Sequence, residues 1–255
     1  MKQFSLEGKV ALVTGGSRGI GKVTAISFAR AGADVAVASR NLPELELVAN
    51  EIKSLGRRSL AVTAHLGRMD QLKSLIEQVV AEFGRIDILV NNAGTSPVYT
   101  PSLDLEERAW DSIMNLNVKG LFFLSQAVAR VMKEHGGGRI INIASVDGFR
   151  PEVNIGAYAI SKASVIMTTH VMAVEWAKYN IRVNTVAPGH VHTRLGDSRF
   201  GVAPPGYEEE LIKRTPLGHI AQPEEMVGAM IYLASDASDF VTGQTLVVDG
   251  GFLIT

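Results

Sequence analysis

Tyr158 and Lys162 are two side chains whose types and spacing suit proton transfer. The apolar residues between Ala159 and Trp176 predict a helix that begins at Tyr158, and residues four apart lie on the same face of a helix. A lysine ammonium beside a phenol favours the phenolate, which lowers the pKa of the tyrosine from its usual value of about 10. We therefore predict that Tyr158 acts as a general acid and base.

Ser145 is a third candidate for the same chemistry. It directly follows the apolar run 140–144, which predicts a buried strand. Ligands of open α/β sheets bind beyond the carboxyl ends of the strands, so we expect the Ser145 hydroxyl at a binding site. One reacting oxygen could then contact the hydroxyls of both Ser145 and Tyr158.

A glycine-rich turn near the start of the chain indicates a nucleotide. Residues 10–14 are apolar and predict a strand, residues 15–21 are rich in glycine, and apolar residues at helical spacing follow. Such a strand, turn and helix lets backbone N–H groups approach a pyrophosphate, whose negative charge the helix dipole favours. A glycine turn without a ligand is the alternative interpretation.

The end of the second predicted strand, 34–39, favours NADP(H) over NAD(H) as the cofactor. Enzymes specific for NAD usually place Asp or Glu about 20 residues after the glycines to bind the ribose 2′-hydroxyl. This chain has Ser39 and Arg40 there, and Arg40 together with Arg18 would suit a 2′-phosphate through charge and a planar set of donors. The alternative is that both arginines are ordinary solvated surface residues.

Strand and helix patterns alternate along the whole chain, which predicts one α/β domain over residues 1–255. The remaining strands are predicted at 59–63, 86–90, 140–144, 181–187 and 245–249, and the main helices at 42–55, 69–83, 110–135, 158–179 and 223–235. This pattern is typical of a seven-stranded parallel sheet with helices on both faces. The glycine- and proline-rich stretch 194–215 interrupts the pattern and is predicted to be the substrate lid.

Composition and charge exclude several functional classes. The 255 residues carry a net charge of −1, so charge gives no case for nucleic acid or an anionic membrane as the partner. No apolar run reaches the roughly 18 residues of a membrane span, and the chain has no cysteine for disulfides or a thiol nucleophile. His190 and His192 form a close pair without a third ligand nearby, so we predict no metal site. Together these features favour a cytoplasmic protein.

Several asparagines lie at positions that need hydrogen-bond partners. Asn115 and Asn117 lie among apolar residues of the helix predicted at 110–135, and we expect one of them to bond a helix carbonyl and to open a local kink. Asn91 and Asn92 end a predicted strand and are expected to bond neighbouring loop backbone, holding the sheet open for a nicotinamide ribose. Ordinary core and loop asparagines are the alternative interpretation.

The motifs together resemble those of the short-chain dehydrogenase/reductase family over nearly the whole chain. In chain order they are Thr14-Gly15-x-x-x-Gly19-x-Gly21, Asn91-Asn92-Ala93-Gly94, Asn117, Ser145, Tyr158-x-x-x-Lys162, Pro188-Gly189 with Thr193, and Val248-Asp249-Gly250-Gly251. Each motif alone is weak evidence. Their order, and their placement at the ends of the right elements, makes the combination specific.

The resemblance implies a single domain with a Rossmann-type sheet and a catalytic tetrad of Asn117, Ser145, Tyr158 and Lys162. Tyr158 would transfer the proton to or from the substrate oxygen, which Ser145 would hold. Lys162 would bond the nicotinamide ribose, and Asn117 would position a water in a proton relay to Lys162. The implied cofactor contacts are Gly15, Ser17, Arg18, Ile20, Arg40, Leu66, Asn92, Ala93, Tyr158, Lys162, Val191 and Thr193.

One residue departs from the family pattern. Many members have Asp or Asn at the position of His65, against the adenine amino group, so the resemblance leaves the adenine contact of His65 open. The runs Ser39–Asn41 and His65–Gly67 are similar to those of NADP-dependent carbonyl reductases in the family. The whole chain is also similar to bacterial 3-oxoacyl carrier-protein reductases.

The resemblance therefore implies an NADP(H)-dependent oxidoreductase that interconverts a ketone and a secondary alcohol of a small molecule. The alternatives are a 3-oxoacyl thioester reductase, a sugar or polyol dehydrogenase that uses NAD(H), an isomerase or dehydratase, and a non-enzymatic nucleotide-binding protein. The walls of the substrate site are predicted to include Val146, Asp147, Phe149, Val153 and the 194–215 stretch. The family also implies a homo-tetramer in which the helices at 110–135 and 158–179 pack between subunits.

Overall fold

Seven parallel strands form the central sheet of the protein, in a computed structural model that describes residues 2–196 and 205–255. The strands are β1 (Val10–Thr14), β2 (Asp34–Ser39), β3 (Ser59–Thr63), β4 (Ile88–Asn91), β5 (Gly138–Ile143), β6 (Ile181–Pro188) and β7 (Thr245–Val248). Their order across the sheet is β3-β2-β1-β4-β5-β6-β7, and each neighbouring pair is parallel. The predicted α/β fold is therefore confirmed.

Helices cover both faces of the sheet. They are α1 (Gly19–Arg30), α2 (Leu42–Ser54), α3 (Met69–Phe83), α4 (Glu107–Met114), α5 (Leu121–Glu134), α6 (Gly156–Trp176), α7 (Tyr207–Arg214) and α8 (Val227–Ala234). Phe28, Ile52 and Met230 belong to the core layer under α1, α2 and α8, and Leu75 and Val128 to the layer under α3 and α5. Strands buried on both faces read as continuous apolar runs, which is why the sequence predicts them. No helix in the described ranges is long and apolar enough to cross a membrane.

A crevice lies at the carboxyl edge of the sheet between β1 and β4. The chain runs outward from β1 to β2 and β3 and then returns to β4 on the other side of β1, so the loops after β1 and β4 diverge. Thr14 joins the two strands there, because its hydroxyl donates to the Val90 carbonyl oxygen and accepts the Asn92 N–H, each at 3.0 Å. These two hydrogen bonds hold the ends of β1 and β4 together at the floor of the crevice.

Most predicted elements lie where the sequence places them. The predicted bounds are confirmed for the elements at 10–14, 34–39, 59–63 and 69–83. The strands β4 and β5 differ from prediction by one or two residues at each end. Helix α6 begins at Gly156, so Tyr158 lies within its first turn rather than at its start. The helix predicted at 223–235 is a 3-10 turn, Pro223–Met226, followed by α8.

The prediction of one α-helix over 110–135 is wrong, because α4 and α5 are joined by a π-helical segment, Asn115–Gly120. A π-turn holds one more residue than an α-turn and often marks a functional site. A Cβ on Gly120 would lie 2.2 Å from the Leu66 carbonyl oxygen, so the wider turn packs its backbone directly against the loop after β3. The sequence predicts a local kink of the helix near Asn117, and the π-helical segment is a distortion at that place.

The stretch 194–215, predicted as a lid, contains the helix α7. Residues 197–204 of this stretch lie outside the described residues. Leu211 of α7 is fully buried and shares a small core with Val146 and Phe252. Its apolar side therefore fixes α7 to the body of the protein.

Candidate active site

A cavity of about 1000 Å³ opens at the carboxyl edge of the sheet. Its lining includes every residue expected to contact the cofactor, namely Gly15, Ser17, Arg18, Ile20, Arg40, Leu66, Asn92, Ala93, Tyr158, Lys162, Val191 and Thr193. Ser145 lines it as well. The cavity therefore brings together residues from the ends of β1, β2, β3, β4, β5 and β6.

The glycine turn after β1 forms one wall of the cavity. Gly15 has a φ of 61°, and a Cβ at this position would lie 2.7 Å from Asn92 Nδ2. A Cβ on Gly21 would lie 2.3 Å from the Gly15 carbonyl oxygen. Both positions require glycine because the backbone and the neighbouring loop approach so closely. Since Gly19 and Ile20 open α1 and line the cavity, the helix N-terminus fits a pyrophosphate there.

Two arginines line the cavity, Arg18 in the glycine turn after β1 and Arg40 directly after β2. Arg18 and Arg40 are both exposed, and both line the cavity. Asn41 caps α2, because its Oδ1 accepts the Glu44 N–H at 3.4 Å. Glu44 also lines this end, and the sequence analysis did not identify this carboxylate. The two guanidinium groups suit a phosphate, and the carboxylate suits a hydroxyl.

His65 also lines the cavity. Its ring Nδ1 accepts the Gly67 N–H at 3.2 Å, and its backbone N–H donates to Gln71 Oε1 at 2.6 Å. Because Nδ1 acts as an acceptor, the proton of the neutral ring is on Nε2. His65 therefore offers a ring N–H donor at the position where the family resemblance implies Asp or Asn.

Tyr158 and Lys162 lie together inside the cavity, as their spacing predicts. The two side chains are 6 % and 4 % exposed. Lys162 Nζ lies 5.5 Å from the centre of the Tyr158 ring and donates to the Ile143 carbonyl oxygen at 2.7 Å. A buried ammonium beside the ring favours the phenolate form of the tyrosine.

Ser145 stands at the end of β5 and is buried. Its Oγ donates to Asp147 Oδ2 at 3.1 Å and accepts the Asp147 N–H at 3.1 Å. The turn Val146–Gly148 thus orients the serine hydroxyl through its own backbone and carboxylate.

Asn117 lies behind the cavity wall, inside the π-helical segment. Its Oδ1 accepts the Thr95 N–H at 2.9 Å, and its Nδ2 donates to the Thr95 carbonyl oxygen and to Ser161 Oγ, each at 3.0 Å. The prediction that Asn115 or Asn117 bonds a helix carbonyl is therefore wrong for Asn117, because the π-turn directs its amide to the loop after β4. A Cβ on Gly94 would lie 3.5 Å from both Asn117 Oδ1 and Lys162 Nζ, so these two atoms face one small space.

Comparison with known proteins identifies the family. A family model described as Enoyl-(Acyl carrier protein) reductase matches residues 15–253. The chain belongs to the short-chain dehydrogenase/reductase family. It is an oxidoreductase of the class that interconverts secondary alcohols and ketones with a nicotinamide cofactor, and the non-enzymatic alternative has no support.

This short-chain dehydrogenase is similar to proteins that act on different substrates. A 2-dehydro-3-deoxy-D-gluconate 5-dehydrogenase from Escherichia coli is 43% identical over 254 residues, which cover 99% of this chain and 98% of that protein. A 3-oxoacyl-[acyl-carrier-protein] reductase from Thermotoga maritima is 39% identical over 249 residues, which cover 98% of this chain and 99% of that protein. The fold is similar to that of a gluconate 5-dehydrogenase from Burkholderia cenocepacia, whose crystal structure is a complex with NADP and tartrate. The two structures match with a TM-score of 0.94 and 40% sequence identity, and the match covers 100% of this chain and 98% of that chain.

One end of the cavity, formed by residues after β5 and β6 and by α7, carries the polar side chains Asp147, His190, Arg194 and Tyr207 beside the apolar Val146 and Leu195. We call it the substrate end. Val146 and Asp147 line the cavity as predicted. Phe149 and Val153 lie outside the lining defined by the described residues, so their prediction is wrong. At 49% and 78% exposed, both side chains point to solvent, because the chain leaves the cavity after the turn Val146–Gly148.

A buried carboxylate, Glu152, connects three parts of the substrate end. The Tyr207 hydroxyl donates to Glu152 Oε2 at 2.5 Å, His190 Nε2 lies 3.9 Å from the same oxygen, and Arg214 lies 3.7 Å from Oε1. Burial alone would raise the pKa of Glu152, but the contacts with His190 and Tyr207 and the positive charge of Arg214 lower it to about 2. Glu152 is therefore ionised at neutral pH.

The sequence analysis missed this Glu152 group because its members are far apart in the chain. Glu152 and His190 come from two separate loops and Tyr207 and Arg214 from α7, and each residue is ordinary in its own segment. The sequence analysis treats His190 only as half of a histidine pair.

Among residues 2–196 and 205–255, no group of three or more His, Asp or Glu side chains could hold a metal ion.

Proposed function

We propose that this enzyme is an NADP(H)-dependent sugar-acid dehydrogenase, which oxidises a secondary hydroxyl to a ketone and catalyses the reverse reduction. The observation that carries the proposal is the meeting of buried Tyr158, Lys162 and Ser145 with a polar substrate end in one cavity. Two of the three relatives described above are named for sugar acids that react at C5. A polyhydroxylated chain with a carboxylate is the common feature of those substrates.

Tyr158 is the proposed acid and base. Its hydroxyl donates a proton to the substrate carbonyl oxygen in reduction and takes the proton from the alcohol in oxidation. The nicotinamide, when bound, supplies or accepts the hydride. Lys162 holds a positive charge beside the ring and stabilises the phenolate, while the Ser145 hydroxyl holds the reacting oxygen.

Asn117 is proposed as a positioning residue for proton delivery. It fixes the loop after β4 through both backbone groups of Thr95, and its Oδ1 faces the same small space as Lys162 Nζ next to Gly94. A water in that space would link Asn117 to Lys162. This arrangement supports the relay that the family resemblance implies.

The preference for NADP(H) is proposed from the charges at the arginine end of the cavity. Arg18 and Arg40 would pair with the 2′-phosphate of NADP(H). Glu44 in the same lining is the feature that favours the alternative, NAD(H), because a carboxylate accepts hydrogen bonds from a ribose hydroxyl. The N–H of His65 Nε2 would donate to a ring nitrogen of adenine.

A 3-oxoacyl thioester reductase is the second candidate, and the 39% identical relative from Thermotoga maritima supports it. The polar residues of the substrate end favour the sugar acid instead. A sugar acid carries a hydroxyl on most of its carbons, which can bond the polar side chains Asp147, His190 and Tyr207, whereas an acyl chain offers no donor or acceptor to them.

The remaining expectations concern the subunits, the lid and the location. We propose a homo-tetramer built on α5 and α6, because Phe123, Met167 and Val174 on these helices are exposed apolar residues. The stretch 194–215 is proposed to cover the bound substrate. A chain without cysteine fits the reducing cytoplasm, which is the proposed location.

A substrate panel tests the proposed function. NADP(H) turnover would be followed by absorbance with D-gluconate, 2-dehydro-3-deoxy-D-gluconate and a 3-oxoacyl thioester at matched concentrations. We expect kcat/KM for a sugar acid to exceed that for the thioester by at least about tenfold, because the hydroxyls of a sugar acid can bond the polar side chains of the substrate end. Faster turnover of the thioester would contradict the proposal.

A further inference from the structure

Among the described residues of the cavity lining, one lysine or arginine has no role in the proposed function. The lining contains the ammonium of Lys162 and the guanidinium groups of Arg18, Arg40 and Arg194. Lys162 stands beside Tyr158, and Arg18 and Arg40 are the proposed contacts of the 2′-phosphate. Arg194 lies at the substrate end, where a sugar acid would bind.

The backbone on both sides of Arg194 is held by close packing. Thr193 Oγ1 accepts the Gly196 N–H at 3.1 Å, and a Cβ on Gly196 would lie 2.5 Å from the Val191 carbonyl oxygen. Residues 191–196 therefore form a tight turn. A Cβ on Gly19 would lie 3.3 Å from Thr193 Cγ2, which places this turn against the glycine turn after β1. The Arg194 side chain thus starts from a fixed point of the cavity wall.

The Arg194 side chain is exposed and lines the cavity, so it is open to a ligand. It forms no ion pair with a carboxylate among residues 2–196 and 205–255. Arg214 of α7 differs, because it lies 3.7 Å from Glu152 Oε1 and stacks on the Phe252 ring with its guanidinium carbon 4.5 Å from the ring centre. An accessible guanidinium that pairs with no such carboxylate is available to an anionic ligand.

The charges of the substrate end favour one orientation of a sugar acid. Asp147 is the acidic side chain of the described lining at this end, and its Oδ2 accepts the Ser145 hydroxyl at 3.1 Å. Because Ser145 is proposed to hold the reacting oxygen, Asp147 makes the reacting region unfavourable for a second negative charge. The carboxylate of a sugar acid that reacts at C5 is remote from that carbon. The charges therefore favour an orientation with the carboxylate away from Asp147 and at Arg194.

We propose that Arg194 is a specificity-determining residue whose guanidinium pairs with the carboxylate of the substrate. The inference rests on the proposed function, because it needs a substrate with a carboxylate. A guanidinium presents a planar pair of N–H groups that matches the oxygens of a carboxylate. Since the carboxylate takes no part in proton or hydride transfer, the pairing stabilises the bound substrate and the transition state alike. It therefore acts on KM rather than on kcat.

The test is a cycle between enzyme variants and substrate analogues. Values of kcat and KM with NADP+ would be measured on D-gluconate, or on the sugar acid that the substrate panel selects, and on its amide, which keeps every hydroxyl and lacks the negative charge. Arg194→Gln removes the positive charge, and Arg194→Lys keeps the charge without the planar pair of donors. Arg108→Gln is the matched control, because Arg108 is exposed on α4 and lies outside the described cavity lining.

We expect the wild type to favour the acid over the amide by at least about tenfold in kcat/KM, because the acid gains a charge-assisted hydrogen bond. Arg194→Gln should lose a similar factor on the acid, mainly through a higher KM, and little on the amide. Arg194→Lys should retain part of the preference for the acid, and Arg108→Gln all of it. The dissociation constant of NADP+ should stay within about threefold in every variant, since neither arginine is a proposed cofactor contact.

A preference for the acid that Arg194→Gln leaves unchanged would overturn the inference while leaving the proposed function intact. A wild type that turns over acid and amide equally well would do the same. Equal losses of Arg194→Gln on acid and amide, together with weaker NADP+ binding, would assign Arg194 to the cofactor and overturn the inference as well. A wild type that turns over no sugar acid contradicts the proposed function and this inference together.

Reversal of the charges gives an independent measurement. Arg194→Glu would be assayed on D-gluconate and on 1-amino-1-deoxy-D-glucitol, in which a positively charged ammonium group replaces the carboxylate at C1. We expect the ratio of the kcat/KM values, acid over amine, to fall at least about tenfold from the wild-type ratio, because a carboxylate at position 194 repels the acid and attracts the amine. Arg108→Glu controls for the change in net charge and should keep the wild-type ratio. An unchanged ratio in Arg194→Glu would overturn the inference.

Discussion

Lys162 and Tyr158 are held together by the edge of the sheet as well as by the helix they share. The Lys162 ammonium lies 5.5 Å from the centre of the Tyr158 ring and donates to the carbonyl oxygen of Ile143, the last residue of β5, at 2.7 Å. A lysine on a helix face is normally free to extend into solvent, but this one is 4% exposed. The strand end therefore fixes a positive charge beside the phenol.

Replacement of Tyr158 by Phe removes the proposed proton donor and keeps the ring. We expect kcat to fall by about 10²- to 10⁴-fold, the usual contribution of general acid–base catalysis. The NADPH dissociation constant, measured by fluorescence titration, should stay within about threefold. Tyr179→Phe is the matched control, because Tyr179 lies just beyond α6, outside the cavity lining of the described residues, and should retain full activity. Comparable turnover by Tyr158→Phe and the wild type would exclude Tyr158 as the acid and base.

Replacement of Arg40 by Ala should weaken the preference for NADP+ over NAD+. A charge-assisted hydrogen bond contributes about 1.5–3 kcal/mol, so we expect kcat/KM for NADP+ to fall roughly tenfold to a hundredfold. The value for NAD+, which lacks the 2′-phosphate, should change little. Arg30→Ala serves as the control, since Arg30 is exposed at the end of α1 and lies outside the described cavity lining. A wild type that already prefers NAD+ would show that Glu44, not Arg40, decides the choice.

The sequence predicts those parts of the fold in which neighbouring residues alone determine the local structure. The run Val10–Thr14 is buried along its whole length, and the tight approach of Gly21 to Gly15 admits no side chain. The pairing of Tyr158 with Lys162 could be predicted from helix spacing. Strand, turn and helix could therefore be assigned from neighbouring residues.

The features that the sequence analysis missed depend on contacts between distant segments. The π-helical segment exists because Gly120 packs on the Leu66 carbonyl and Asn117 bonds the Thr95 backbone, and neither partner is close in the chain. The Glu152 group is of the same kind, with four members from three segments of the chain. Residue type gives no signal for such contacts, since a loop glutamate or histidine is usually solvated.

Replacement of Asn117 by Ala should destabilise the protein and impair turnover. The change leaves both part-buried backbone groups of Thr95 without their partner and removes one donor to Ser161 Oγ, which keeps its own bond to the Tyr158 carbonyl oxygen. Each unpaired buried group costs about 1–3 kcal/mol. We expect a loss of at least about 3 kcal/mol in urea unfolding, together with a lower kcat in protein that remains folded. Asn115→Ala is the control, because Asn115 is exposed on the same segment and should change stability by less than about 0.5 kcal/mol. Equal stability of the two variants would contradict the proposed role of the Asn117 amide.

Glu152 makes the stability of the protein depend on pH in a defined direction. Its pKa in the folded protein is about 2, below the ordinary value of 4.5 that applies to the unfolded chain. A carboxyl group with a depressed pKa stabilises the fold fully above the unfolded value and loses this contribution as the pH falls toward the folded value. For a buried group with this difference, the contribution at pH 7 is on the order of 3 kcal/mol.

Glu152→Gln should therefore be less stable than the wild type at pH 7, and the difference should shrink in acid. From the two pKa values, we expect the difference in unfolding free energy to be about 0.8 kcal/mol smaller at pH 4 than at pH 7. Urea unfolding of both proteins between pH 7 and pH 4 measures it. Glu225→Gln is the control, because the Glu225 carboxylate is exposed, and its contacts with His219 and the Gln222 N–H are screened by water. A difference between Glu152→Gln and the wild type that is constant over this range would show that the fold does not depend on the ionised carboxylate.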